Sequence, residues 1–141
     1  MEKNDHFIKD FVLDLANKKS IQNFVTEVKK CFKHVDILIN NAGLALDKLS
    51  RNEDGIEMTL AINHFGHFYL TYLLFEIIET SPEARIINVS SELHYSAPKN
   101  ILEDIECKNK SYGWMEQYNI SKIMNVLFTQ ELSRKLSKSK S

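Results

Sequence analysis

Val35-Asp36-Ile37-Leu38-Ile39-Asn40-Asn41-Ala42-Gly43 is the stretch that sets the fold class. Its apolar run, interrupted only by Asp36, reads as a strand buried on both faces. The run passes straight into a turn of polar and small residues, so the strand's carboxyl end is open to a ligand. Arg85 to Val89 is a second strand of this kind, ending at Ser90-Ser91. On the amino-terminal side, Phe7 to Leu15 carries alternating and clustered apolar residues and predicts a further strand ending near Asp14. Ile21, Phe24, Val25, Val28 and Phe32 then recur at helical spacing.

From Asp54 to about Thr80 the pattern is helical and apolar nearly all round, so both sides of that helix should be covered before Ser81-Pro82-Glu83 stops it. A polar connection from Glu92 to about Ser111 leads to a helix from about Tyr112 to Leu136, and the lysine and serine tail, Ser137 to Ser141, should fray. Strands alternating with helices predict an α/β class, a parallel sheet with helices on both faces, in which ligands bind beyond the carboxyl ends of the strands. Asn41, Gly43, Ser90 and Ser91 all fall at such ends. No repeat or low-complexity linker divides the chain, so residues 1–141 read as a single domain or part of one.

The 141 residues are 43% hydrophobic and 26% charged, enough to bury one core. A net charge of -1, with Lys and Arg spread throughout, lacks the basic footprint that nucleic-acid binding requires. Cys31 and Cys107 form no Cys-x-x-Cys pair, fit a reducing compartment and read as packing residues. Met58 to Phe75 is free of Asp, Glu, Lys and Arg and nearly long enough to span a bilayer. Asn63, His64, Gly66 and His67 interrupt it, which makes it a buried helix and leaves no transmembrane segment.

Chemistry is carried by Tyr118 and Lys122, one turn apart within the last helix. Residues four apart share a helix face, so the Lys122 ammonium can favour the ionised phenol of Tyr118 and fit it for proton exchange with an alcohol or carbonyl. By itself the spacing is equally that of a solvated helix face in a lysine-rich chain. His64 and His67, three apart on one helix, have no carboxylate or cysteine in the same motif to complete a metal site, so packing is the better reading and no metal is expected. Trp114 and Tyr112 could line a substrate mouth, although aromatic residues at a helix start are more often core contacts.

Taken in order, Asn40-Asn41-Ala42-Gly43, Asn63 in Ile62-Asn63-His64-Phe65-Gly66-His67-Phe68, Ser91, and Tyr118 with Lys122 resemble the short-chain dehydrogenase/reductase family. Glu53 to Met58, Arg85 to Ser91 with His94, and Leu127 to Leu132 look like blocks of its retinol-dehydrogenase-like branch, and the resemblance runs from about Val12 to Leu136. It implies that Tyr118 is the acid/base and that Lys122 both holds Tyr118 near its ionised form and binds the nicotinamide ribose. Ser91 would hydrogen-bond the substrate oxygen, and Asn63 would hold a water that relays protons to Lys122. Neighbouring strand residues face opposite ways, so only one of Ser90 and Ser91 can serve, and the family pattern selects Ser91. Asn41, Ala42 and Gly43 would form the floor under the adenosine ribose, and Asp14 would meet the adenine, unless it is simply a turn residue or helix cap. Asn40 would brace the sheet. The implied cofactor is NADP or NAD, chosen by residues after the family's second strand, and the implied substrate is a lipophilic alcohol or carbonyl such as a retinoid or steroid.

The family opens with a strand, a glycine-rich turn and a helix that hold the pyrophosphate. Gly43, Gly55, Gly66 and Gly113 are too widely spaced to make such a turn. The expected fold is therefore a partial, doubly wound Rossmann-type sheet of two or three strands lacking the first two, marginal in stability. Its first strand would be without a ladder partner unless it moved beside Val35 to Asn40. Two functions follow: a fragment or short isoform of a nicotinamide-dependent oxidoreductase, or a non-catalytic module that pairs with a full-length relative, or with itself, through helices 54–80 and 112–136.

Overall fold

The computed structural model describes residues 8–105, 107, 108 and 111–139, the last three by backbone alone. Helix α1 (Lys18–Cys31) buries Ile21, Val25 and Val28, which recur on one face, and carries Lys29 and Lys30 in its last turn, where cations suit the helix dipole. Local hydrogen bonds fix its start. The Asn17 side chain accepts from the Ser20 N–H at 2.9 Å, and Asp14 Oδ1 accepts from the Ala16 N–H at 2.9 Å.

Strands β1 (Ile37–Asn40) and β2 (Arg85–Asn88) pair in parallel, Ile37 opposite Arg85 and Asn40 opposite Asn88. They form the two-stranded sheet of a partial Rossmann-type fold. On the even-numbered face Leu38 and Ile86 pack against a core of Ile21, Val25, Val28, Leu70, Leu74 and Ile78. Asn40 Nδ2 braces this face by donating to Thr71 Oγ1 at 2.9 Å and Asn88 Oδ1 at 2.8 Å, the role its sequence position suggested. The odd-numbered face is bare, with Ile37 57%, Ile39 59% and Ile87 45% exposed. Burial of both strands on two faces is therefore corrected. An apolar run shows what a strand is suited to contact, and here the helix contacts converge on one side.

No strand forms over the predicted Phe7 to Leu15, of which Phe7 lies outside the described residues. Phe11, Leu13 and Leu15 pack on the core while Val12 is 91% exposed, so the alternation of a strand persists without a ladder. The segment has not moved beside β1, and side-chain packing holds it together with hydrogen bonds to α1, from the Asp14 N–H to Ser20 Oγ at 2.9 Å and between Lys9 Nζ and Cys31 Sγ at 2.6 Å.

Helix α2 (Met58–Leu60), a π-helical stretch (Ala61–Gly66) and α3 (His67–Glu79) make one continuous run. The run starts at Met58 and not at the predicted Asp54, because the Glu57 carboxylate accepts the Thr59 and Leu60 N–H groups at 3.0 and 2.9 Å. Asn52 Oδ1 meanwhile ties the Asp54 and Ile56 N–H groups into a turn. Phe68 and Tyr72 are 47% and 69% exposed, so one flank of α3 is uncovered, contrary to the reading of its apolar pattern. Gly66 lets the run cross the loop before α1: a Cβ there would strike the Leu15 carbonyl and come within 2.8 Å of Leu15 Cβ.

After a 3-10 turn (Glu92–Ser96) and a polar connection, α4 (Trp114–Ser139) begins two residues later than predicted and continues through Ser139. The backbone of 137–139 is helical, and residues 140 and 141 lie outside the described ones. Arg134 bonds Glu131 through Nε and Nη2 at 2.7 and 2.6 Å, which supports the last turns. Contacts of Asn63 with Ser121, His64 with Asn125 and Phe68 with Phe128 set α4 parallel to the α2–α3 run. No described helix is long and apolar enough to cross a membrane.

Candidate active site

Four pieces of chain meet at the carboxyl end of the sheet. The exit of β1 presents Asn41, Ala42 and Gly43, all exposed, and the exit of β2 presents Ser90 and Ser91. Asn63 comes from the π-helical stretch, and Tyr118 and Lys122 come from α4.

Lys122 Nζ lies 5.3 Å from the centre of the Tyr118 ring. The lysine is 4% exposed, and burial pushes its pKa below the ordinary lysine value. Among the described residues no carboxylate pairs with it. A Cβ on Gly43 would stand 3.1 Å from Asn63 Oδ1 and 3.6 Å from Lys122 Nζ, so the β1 exit passes close to both side chains. A side chain here would crowd Asn63, which would have to give by a few tenths of an ångström, while Lys122 would be at ordinary contact distance.

Asn63 is fully buried. Its Oδ1 accepts the Leu44 N–H at 2.8 Å, and its Nδ2 donates to the Leu44 carbonyl at 2.8 Å and Ser121 Oγ at 3.1 Å. The side chain thus clamps the β1 exit to α4. Ser90 and Ser91 diverge as strand alternation requires. Ser90 Oγ donates to the Lys122 carbonyl at 2.8 Å, which commits it to the backbone of α4. Ser91 Oγ accepts the Leu93 N–H at 3.3 Å at the head of the 3-10 turn, and that turn packs on α4. Asp14 is exposed and serves the turn before α1 through Oδ1.

The histidines are packing and network residues. His64 lies against the rings of Phe65, Phe68 and Phe128, with Nδ1 2.9 Å from Asn125 Oδ1, and His67 Nδ1 is 3.2 Å from the Asn63 carbonyl. Burial lowers the pKa of both. Tyr112 is a structural contact: its hydroxyl donates to the Leu46 carbonyl at 2.8 Å and lies 3.2 Å from Glu57 Oε1. Burial and the Glu57 charge raise its pKa. Trp114 is 44% exposed. Cys107 is buried, whereas Cys31 is exposed with Sγ 2.6 Å from Lys9 Nζ, which corrects its reading as a packing residue.

Sequence reasoning missed Glu57 and Asn125. A signal existed for each: a carboxylate immediately before a helical run, and a polar residue inside the apolar stretch Ile123 to Phe128.

The short chain dehydrogenase family model matches residues 2–101. Retinol dehydrogenase 13 of Homo sapiens is 41% identical over 135 residues, covering 96% of this chain and 40% of that one. This chain thus spans about two fifths of that curated relative. A crystal structure of an uncharacterised protein from Mycobacterium paratuberculosis superposes with a TM-score of 0.76 at 36% identity, over 92% of this chain and 45% of the other. A short-chain dehydrogenase from Sphingobium yanoikuyae, solved with NADPH, gives a TM-score of 0.64 at 21% identity, over 91% of this chain and 45% of that one.

Proposed function

The chain belongs to the short-chain dehydrogenase family, and from that membership we propose that it carries the proton-transfer half of a nicotinamide-dependent oxidoreductase. The enzyme interconverts an alcohol and a carbonyl on a retinoid, steroid or similar lipophilic compound. The observation that carries the reading is the buried Lys122 ammonium beside the Tyr118 ring, close to the β1 exit at Gly43. Similarity to Retinol dehydrogenase 13 supports the substrate class.

The residues fit the riboses of NAD or NADP. Asn41 to Gly43 leave their backbone open at the strand end, and Lys122 has no carboxylate partner among the described residues to compete for its charge. The 141 residues contain no glycine-rich turn for the pyrophosphate. When bound, the nicotinamide supplies or accepts the hydride. In the reducing direction Tyr118 gives its hydroxyl proton to the carbonyl oxygen, Lys122 stabilises the charge left on the phenol, and Ser91 donates to the same substrate oxygen. Asn63 fixes the loop under the site, and Asp14 faces the adenine end.

The test is a chimera in which residues 12–136 replace the matching part of human Retinol dehydrogenase 13, assayed for retinaldehyde reduction with NADPH and with NADH. Turnover should appear and should fall by about 10²–10⁴-fold in Tyr118→Phe. A chimera that folds but is inert, or turnover indifferent to Tyr118, would reject the reading.

A second reading, pairing with a full-length relative or a second copy, is favoured by the open flank of α3. Phe68, Tyr72, Phe75, Phe128 and Leu132 line a groove of about 360 Å³ there, with Glu131 and Lys135 at its rim. The chain should co-purify with a full-length family member, and Tyr72→Glu should abolish that. Failure of the unaltered pair to associate at micromolar concentration counts against it.

A further inference from the structure

Asn125 lies one turn beyond Lys122 on α4 and is 4% exposed. Its Nδ2 donates to the Asn63 carbonyl at 3.0 Å and the Val89 carbonyl at 3.1 Å, and its Oδ1 lies 2.9 Å from His64 Nδ1. Two carbonyl partners place the amide nitrogen on that side, so Oδ1 faces His64, which must carry its proton on Nδ1.

One amide thus joins the three elements that bear the candidate residues: the π-helical stretch with Asn63, the strand exit two residues before Ser91, and the helix of Tyr118 and Lys122. The Asn63 carbonyl lies where the helix departs from α geometry. In an α-helix it would accept the His67 N–H, but that group is turned to the His64 carbonyl, and the Asn125 amide reaches the buried Asn63 oxygen instead. His67 Nδ1 reaches the same oxygen at 3.2 Å, so the carbonyl sits between two side chains.

We propose that Asn125 is the positioning residue of this site: its amide holds the π-helical stretch and the β2 exit against α4 and so fixes Asn63 and Ser91 relative to Tyr118 and Lys122. The inference rests on the proposed oxidoreductase reading for what the site does, but its geometry is testable without turnover.

The experiment is NMR on the full 141-residue chain. The first variant is Asn125→Leu, of similar shape without donors; Asn125→Ala is the second, should leucine prevent folding. Three signals are read: solvent exchange of the Asn63 Nδ2 protons, exchange of core amides such as Ile21 and Leu74, and the pH titration of Lys122 Nζ. Loss of the clamp should speed Asn63 side-chain exchange by about tenfold, leave the core amides unchanged and move the Lys122 titration up toward the ordinary range. Unchanged Asn63 exchange in a folded variant overturns the proposal, because Asn125 would then only fill space. Parallel loss of protection in the core, or failure of both variants to fold, overturns it too, because Asn125 would then serve the whole structure. An inert chimera that leaves these signals as expected would reject the oxidoreductase reading and spare the clamp.

Discussion

Lys122 concentrates the conflict between stability and activity in this chain. It is 4% exposed, burial depresses its pKa, and among the described residues no carboxylate offsets its charge. Burying an ammonium this way opposes folding, so Lys122→Met, which keeps the stem and removes the charge, should stabilise the chain by about 1 kcal/mol while removing activity from the chimera. Urea unfolding checks the first half; a loss of stability on substitution would show that Lys122 makes a favourable contact in the fold. The residues around it were unequally legible. Asn63, Tyr118 and Lys122 stand in motifs with fixed spacing, and strand alternation separates Ser90 from Ser91. Asn125 and Glu57 act through hydrogen bonds to backbone far away in sequence, as between Asn125 and the Asn63 carbonyl, and no local pattern announces such partners.

Among the elements, the α2–α3 run shows where local pattern succeeds and where it stops. Apolar periodicity and the Ser81-Pro82-Glu83 stop gave a helix in the right place, but periodicity carries no sign of the π-helical stretch that turns the His67 N–H away from the Asn63 carbonyl. The same run buries His64 and His67, and burial lowers both pKa values. Below the unfolded histidine value of about 6.5 the unfolded chain takes up protons that the folded chain resists. Stability should therefore rise with pH through the window between the depressed values and about 6.5, and be lost on acidification across it. Urea midpoints at pH 7.5 and 5.5 measure this above the carboxylate range. A His64→Gln, His67→Gln double variant should lose less between the two pH values than the unaltered chain, and equal losses would clear the histidines of the effect.

For the whole molecule, the decisive quantity is what the two-stranded sheet leaves open. The apolar run of β1 marks it as a strand, and this was legible; that only one of its faces is covered was not, because coverage depends on which other elements are present. Ile37, Ile39 and Ile87 form an exposed apolar face on a sheet with two open edges, a combination that invites association between copies. The chain should self-associate as its concentration rises, and the triple variant Ile37→Thr, Ile39→Thr, Ile87→Thr should shift it to monomer in light scattering. Threonine keeps the β-branch and hence the strand preference, so the melting temperature should hardly change. If instead that face is covered in solution, each substitution removes buried apolar volume and costs about 1 kcal/mol, so the triple variant would melt far earlier. The two outcomes differ in sign for solubility and in size for stability, so one purified variant decides whether this sheet stands bare.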